Sequence, residues 1–375
     1  MSSRGAKLLN SVFFMLGSLI RTIRKVCYTY PEIREDTAGK GRFGELRVAL
    51  LTDYLTSLNL SRECRVRCLT RSNYQTVLRD WHPDFVFVES AFHGYRWDWS
   101  YRLAKHSPLF GDTSLRDFRR LSDTARELGI PLVFWNKDDG VFFDAFIDVA
   151  RLCDFRYTAD ANSVPRYQEA VGKDRHAGLL MMAYQPAIHS FDGFHFTRKR
   201  MCFIGSYYRK ILNSRRAAMD YFFRACEGGG IPLDVYDRNS SRLSRFFEFR
   251  YPSFQHVNVF SAVPYEKTAD LYHEYQVSLN INSVTDSPSM FSRRMLEILG
   301  SGGILVTNPS RATEVHFRDF CTVVHSEDEA RELLPSMIEA PSPELLEKAE
   351  AGYRFVRENF TWERRFMQLS EDGVF

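Results

Sequence analysis

From Leu46 onward, apolar runs of strand length alternate with segments of helical periodicity, and the alternation lapses and restarts once, near residue 200. A short apolar run bounded by turn residues suits a strand buried on both faces, as in a parallel sheet covered by helices on either side. Strand and helix in regular succession therefore predict βαβ units, and the restart predicts two sets of them in series. The 375 residues also exceed the roughly 250–300 at which a single hydrophobic core stops growing. The expectation is an α/β chain of two doubly wound, Rossmann-like lobes.

In the first lobe the pattern predicts strands at 47–52, 64–69, 84–89, 131–135, 155–158 and 179–184, with helices at 73–81, 114–128, 141–151 and 163–171. Between Pro186 and Arg198 short polar and aromatic residues break the periodicity, which marks a linker. The second lobe then offers strands at 200–205, 233–236, 257–260, 277–281 and 303–307. Its helices are expected at 214–226, 264–275, 289–300, 327–338 and 343–360, with Gly228-Gly-Gly230 as a helix stop. Ligands of such open sheets bind outside the carboxyl ends of the strands, where strand order reverses.

A formal net charge of +3 is too small for a chain that coats nucleic acid, and no nucleic-acid partner is expected. The seven cysteines have neither paired nor metal-ligand spacing, which fits a reducing cytoplasm. At the N-terminus, Leu8, Leu9, Val12, Phe13, Leu16, Leu19, Ile20 and Ile23 share one helical face, with basic residues at both flanks. The stretch is short of the about 20 apolar residues that span a bilayer. Residues 7–25 read either as a helix lying on the inner membrane surface or as one packed on the protein itself.

The most informative segment runs from Asn280 to Gly303. A buried strand leaves through Asp286 and Pro288 into a helix whose first N–H groups and dipole form an anion site. Arg293 and Arg294 follow within a turn, and guanidinium forks suit phosphate. Glu297, further along the helix, suits the vicinal hydroxyls of a ribose. The plainer alternative is a strand-turn-helix in which Ser289 caps the helix, the arginines pair on the surface and Glu297 is solvated.

Residues 283–308, with the core Ser-Pro-Ser-Met-Phe-Ser-Arg-Arg-Met-Leu-Glu-Ile-Leu-Gly-Ser-Gly-Gly, resemble the donor-binding segment of CgeB-like glycosyltransferases of the GT-B fold. Phe203-Ile-Gly-Ser-Tyr-Tyr208, Asp234-Val-Tyr-Asp-Arg-Asn239, Glu89-Ser-Ala-Phe92 and Phe134-Trp-Asn-Lys-Asp-Asp-Gly140 are similar to further motifs of that group. The resemblance spans roughly residues 45–365. It implies two lobes facing a cleft, with the C-terminal helices crossing back to the first. The implied division is 1–44 for the N-terminal helix and linker, 45–190 for the acceptor lobe, 198–345 for the nucleotide-sugar lobe and 346–375 for the returning helices.

The implied activity is transfer of a sugar from a nucleotide-diphosphate sugar to a glycan or lipid-linked glycan, in bacterial surface polysaccharide assembly, without a metal or other cofactor. By the resemblance, the backbone of Ser289, Met290 and Phe291 with Arg293 or Arg294 holds the diphosphate, and Glu297 the ribose. One departure stands out: retaining relatives carry a glutamate eight residues before this one, where Ser289 stands here. Gly205 and Ser206, Arg209 and Arg215, and Asp237 and Arg238 are further donor contacts, each weighed against a tight turn, a solvated charge or a local ion pair.

Among strand-end acids of the first lobe, Glu89 and Asp138 are the expected catalytic bases, with Asp53, Lys137 and Asp139 nearby. His93 is expected to line the acceptor site. Tyr95, Trp97, Trp99 and Tyr101 alternate either as a sugar-stacking platform or as a buried flap. An epimerase on the same fold, or a nucleotide- or glycan-binding protein without catalysis, remains the alternative.

Overall fold

The structure is a computed structural model that describes residues 32–100, 102–104, 115–242 and 245–375. The amphipathic segment 7–25, Cys27 and Tyr101 lie outside the described residues. The chain forms two compact units: Met1–Leu180 with Phe366–Phe375, and Met181–Arg365.

The first unit carries strands β1 (Arg47–Leu51), β2 (Arg65–Cys68), β3 (Phe85–Glu89), β4 (Leu132–Asn136), β5 (Phe155–Thr158) and β6 (Gly178–Leu179). All pairings are parallel, in the order β2-β1-β3-β4-β5-β6. β3 and β4 are buried at every residue, as expected of central strands with no polar face. Helices α1 (Tyr54–Leu60), α2 (Arg116–Glu127), α3 (Asp139–Ala150) and α4 (Val164–Val171) connect them. Phe118, Leu121, Phe146 and Trp99 fill the core with no exposure, each contributing about 1.5–3 kcal/mol through burial. Phe366 meets Phe85 and Phe43 edge-on, and the Tyr157 hydroxyl donates to Asp372 (2.7 Å). These contacts place the chain's last residues in the first unit.

The second unit carries β7 (Arg198–Gly205), β8 (Leu233–Asp237), β9 (Val257–Ser261), β10 (Tyr275–Asn280), β11 (Leu305–Thr307) and β12 (Thr322–Val323), again all parallel, in the order β12-β11-β10-β7-β8-β9. Its helices are α5 (Asn213–Gly229), α6 (Thr268–Glu274), α7 (Arg293–Gly300), α8 (Arg311–His316), α9 (Glu327–Glu339) and α10 (Pro343–Asn359), followed by α11 (Trp362–Glu371), which runs on into the first unit. Only the third glycine of the expected helix stop does the stopping. Gly230 takes a left-handed φ of 64° while the Ile231 N–H bonds back to the Cys226 carbonyl (2.8 Å).

Strand order reverses between β1 and β3 in the first unit and between β7 and β10 in the second. Each unit therefore has a ligand-binding switch point of its own at those carboxyl ends.

Three expectations need correction. The helix expected at 289–300 begins only at Arg293, because loop hydroxyls and an amide claim the preceding N–H groups. Ser287 Oγ accepts from the N–H of Ser289 (3.3 Å) and Met290 (3.1 Å), and Asn282 Oδ1 from that of Ser292 (2.9 Å). The helix expected from Pro264 opens as a 3-10 turn, Tyr265–Lys267, and yields to β10 at Tyr275. Finally, not all of 346–375 returns to the first unit. α10 packs on α7 through Gly352, where a Cβ would lie 2.8 Å from Leu299 Cδ2, so only the last ten residues count with the first sheet.

Candidate functional site

At the second unit's switch point, two buried arginines bridge the strand ends. Arg294, on the first turn of α7, donates Nε to the Ile204 carbonyl (2.6 Å) and Nη1 to Asn280 Oδ1 (3.1 Å), with its guanidinium 4.8 Å from the Phe203 ring centroid. Arg215, near the start of α5, donates Nη1 to the Ile281 carbonyl (2.7 Å) and Nη2 to that of Ser206 (3.3 Å), while its Nε has no hydrogen-bond partner.

Among the described residues neither arginine is in an ion pair with a carboxylate. Burial lowers the Arg215 pKa to about 10, and the charge of Arg294 adds to the effect. Arg294 is lowered by burial as well, with Arg238 contributing. Two cations so placed bear a desolvation cost that carbonyls, an amide oxygen and the charge of nearby Glu297 offset only in part, and an anion between them would offset more of it. Ser206 Oγ, buried at the same strand end, also has no partner.

Gly205 makes this approach possible, since a Cβ there would lie 2.4 Å from Phe203 Cζ and 3.0 Å from Arg294 Nη2. Gly205→Ala is therefore expected to push the guanidinium off its seat. Affinity for an anion seated on the arginine pair should fall about tenfold or more, since guanidinium forks hold phosphate by direct charge-assisted hydrogen bonds. A calorimetric titration checks this, and unchanged affinity would remove Arg294 from the site.

The other expected donor residues are distributed around this point. The Arg238 N–H reaches the Gly205 carbonyl (2.9 Å) while its side chain is exposed, and Asp237 Oδ1 caps the Asn239 N–H (2.9 Å). Arg209 is exposed, with its backbone tied to Glu248 and Arg216. Met290 and Phe291 are buried, Phe291 edge-on to Phe317 and Phe360, so it serves the core. The Ser289 and Met290 amides expected to hold the diphosphate are occupied by Ser287 Oγ.

Glu297 is buried, and its Oε1 accepts from the Tyr265 hydroxyl and from Arg293 Nε, both at 2.7 Å. Burial works to raise this carboxyl, but Arg293, His189 and Tyr265 outweigh it and hold the pKa at about 2. The group is ionised throughout the neutral range. His189, buried beside it, bonds Thr268 Oγ1 (2.9 Å), and burial depresses its pKa to about 4, so the ring is neutral. Tyr265 and His189 were not singled out from sequence; they come from the turn before α6 and the stretch ahead of β7, and only folding brings them to Glu297.

The first unit gathers four charged groups at the ends of β1, β3 and β4. Glu89, fully buried, pairs with Lys137 Nζ and accepts from the Asp53 N–H (2.9 Å) and the Thr56 hydroxyl (2.8 Å). Both its oxygens are committed, which makes it an anchor and not a free base. Lys137 also reaches Asp53 Oδ2 (3.4 Å), and Asp53 Oδ1 accepts from the Gly94 N–H (3.1 Å). Asp138 is half-buried and accepts from the Ser90 hydroxyl (3.3 Å). Burial raises its pKa to about 6, Lys137 opposing and Glu89 and Asp53 adding to the rise. Asp139 turns inward to the Tyr167 hydroxyl (3.1 Å) and Asn136, and burial raises it to about 7.

The aromatic loop is a buried flap. Trp99 has no exposure and donates its indole N–H to the Leu69 carbonyl (2.9 Å), which removes it from the acceptor surface. Trp97 is also buried, stacked on His93 at 3.8 Å between centroids. Arg96 and Trp97 both take a positive φ (53° and 61°), a conformation rare for such residues and held by the packing around them. Of His93, Trp97 and Trp99, only half-buried His93 keeps any accessible surface of note.

Among the described residues no group of three or more His, Cys, Asp or Glu is arranged to hold a metal ion, and no helix is long and apolar enough to cross a membrane.

Two doubly wound parallel sheets in series, the chain's end counted with the first, define the GT-B class of fold. Residues 221–371 match the model of a family described as glycosyl transferase-like. By structure the chain is similar to Anabaena HepE in complex with UDP and glucose, with a TM-score of 0.55 and 10% identity over 88% of this chain and 99% of that one. The same protein in complex with UDP-glucose gives a TM-score of 0.54 at 10% identity, with the same coverage. Among curated protein sequences none matches the chain.

Proposed function

We propose that the protein is a glycosyltransferase that takes a sugar from a nucleoside-diphosphate sugar and passes it to a hydroxyl of a glycan or lipid-linked glycan. The observation that carries this reading is the pair of buried, carboxylate-free arginines at the β7/β10 switch point, beside a buried and unpartnered Ser206 hydroxyl. Their charge would stabilise the diphosphate as the sugar leaves, in the manner of a fixed oxyanion site. Glu297 Oε2 would accept from the ribose hydroxyls. Because cationic side chains supply that stabilisation, transfer is proposed to need no metal. UDP-glucose, the ligand of HepE, is the first donor to test. Surface polysaccharide assembly and membrane contact through residues 7–25 complete the proposal.

In the first unit Asp138 is assigned as the base that takes the acceptor's proton, with Lys137 and Ser90 holding it in place. A base must be ionised, so activity should be low where the carboxyl is protonated and rise as pH climbs through about 6. Transfer measured from pH 5 to 8 in the presence of EDTA is expected to show that rise undiminished. Asp138→Asn should remove the ascending limb and lower the plateau by about 10²–10⁴-fold. An Asp138→Asn enzyme with the wild-type profile would exclude it, and loss of turnover in EDTA would reject the metal-free reading.

A further inference from the structure

The second unit also holds an open cavity of about 800 Å³ between α5 and the start of α8, which the donor reading leaves unused. Ser214 opens onto it, whereas Arg215, its neighbour on α5, turns to Ile281 and Ser206. The volume lies within the roughly 300–1,000 Å³ of small-molecule sites.

The lining chemistry narrows the ligand. Ala217 and Tyr221 of α5 form an apolar floor, and the Tyr221 ring is fixed because its hydroxyl donates to the Val324 carbonyl (2.7 Å). Ser214 and Thr285 bring hydroxyls to the lining, Asn308 and Ser310 form one wall with their side chains already bonded to Asn282 and Thr313, and Arg311 and Glu314 of α8 set one cation and one anion beside His325 at the rim. Those charges offset each other, which disfavours a phosphate ligand. A flat apolar floor facing mixed donors and acceptors suits a molecule with C–H faces and many hydroxyls. We infer that this cavity is a second ligand site, for a neutral mono- or disaccharide unit of a glycan.

One chain of buried hydrogen bonds ties the cavity wall to the arginine site. Asn308 Oδ1 accepts from the Asn282 N–H (2.7 Å), and Asn282 Nδ2 donates to Ser310 Oγ (3.3 Å). Asn282 Oδ1 accepts from Asn280 (3.1 Å), whose own Oδ1 accepts from Arg294. A saccharide packed against the Asn308 and Ser310 wall therefore presses on the same network that seats the guanidinium, and any effect on nucleotide affinity is reciprocal. The inference rests on the cavity's lining and not on the transferase reading.

The test uses the full chain without nucleotide, titrated with methyl glycosides of glucose, galactose and N-acetylglucosamine and with maltose, lactose and chitobiose, followed by saturation-transfer NMR. At least one is expected to bind saturably. Ala217→Trp, which fills the cavity from an exposed position on α5, should weaken that binding at least tenfold while leaving the melting temperature and the thermal shift by UDP in place. Glu314→Ala, at the rim, should weaken it with no packing change and serves if the tryptophan variant is unstable. No binding by any of the six sugars, binding indifferent to both substitutions, or competitive displacement of the sugar by inorganic phosphate would overturn the assignment. A wild-type protein that binds sugar but shows no shift with UDP would instead count against the donor reading alone.

Discussion

Arg294→Ala is expected to abolish the thermal shift given by UDP and to lower transfer by about 10²–10³-fold, the loss found when one fixed donor to a developing charge is removed. Arg294 is the residue on which β7, β10 and α7 converge, through Ile204, Asn280 and its own backbone. Its guanidinium can bond both strand ends and still present N–H groups to a diphosphate, because five donors are held in one plane. Lysine offers a compact ammonium without that fork, so Arg294→Lys should rescue little.

The substitution also unpairs the Ile204 carbonyl and Asn280 Oδ1, at about 1–3 kcal/mol for a buried group. Rates must therefore be compared well below the melting temperature of the variant. Arg215→Ala, at the other side of the same switch point, should give a loss of the same kind, and the double variant should lose less than the two losses combined, since both would serve one diphosphate. A folded Arg294→Ala protein that UDP still protects in full would mean that the cation pair is structural.

How far the sequence reaches can be judged at this site. Strand order and the two units follow from fully apolar runs such as Phe85-Val-Phe-Val88, whose burial leaves little choice of partner. That arginines would stand at the end of a buried strand was legible from their place after Asn280, and Arg294 does bond both strand ends there. The amides of Ser289 and Met290 were not legible as occupied. Nothing in Ser-Pro-Ser-Met reveals that Ser287 Oγ will accept from both N–H groups and delay the helix to Arg293. A hydroxyl competing with the helix for backbone donors is a local contest that periodicity does not register.

The surroundings of Glu89 were hidden for a different reason. Its position at a strand end was read correctly, but its commitment depends on Lys137, 48 residues later, and on Thr56. Likewise the alternation of Tyr95, Trp97 and Trp99 is compatible with a platform or a flap, and the Trp99 bond to the Leu69 carbonyl decides it.

The first unit's charge cluster should fail most visibly when its single cation is removed. Lys137→Met leaves Glu89 buried without its partner, and breaking a buried pair from one side costs about 3–5 kcal/mol. For a unit of this size that corresponds to a fall of about 10 °C in melting temperature, at roughly 2–4 °C per kcal/mol. The loss should depend on pH in a stated direction. Asp138 is already raised by burial to about 6 against an unfolded value of 3.8, with Lys137 opposing the rise, so its removal moves the carboxyl higher still. A carboxyl raised in the folded state favours folding only while it stays protonated, and that contribution is lost as pH climbs through its folded pKa. The deficit of Lys137→Met should accordingly be smaller at pH 5 than at pH 8, and the ascending limb of transfer should shift to higher pH. Adding Glu89→Gln removes the stranded charge and should restore part of the stability, a coupling that a double-mutant cycle measures directly. Additive losses from the two substitutions, or a deficit equal at both pH values, would mean that Lys137 is merely a surface-facing partner and that Asp138 owes its position to packing alone.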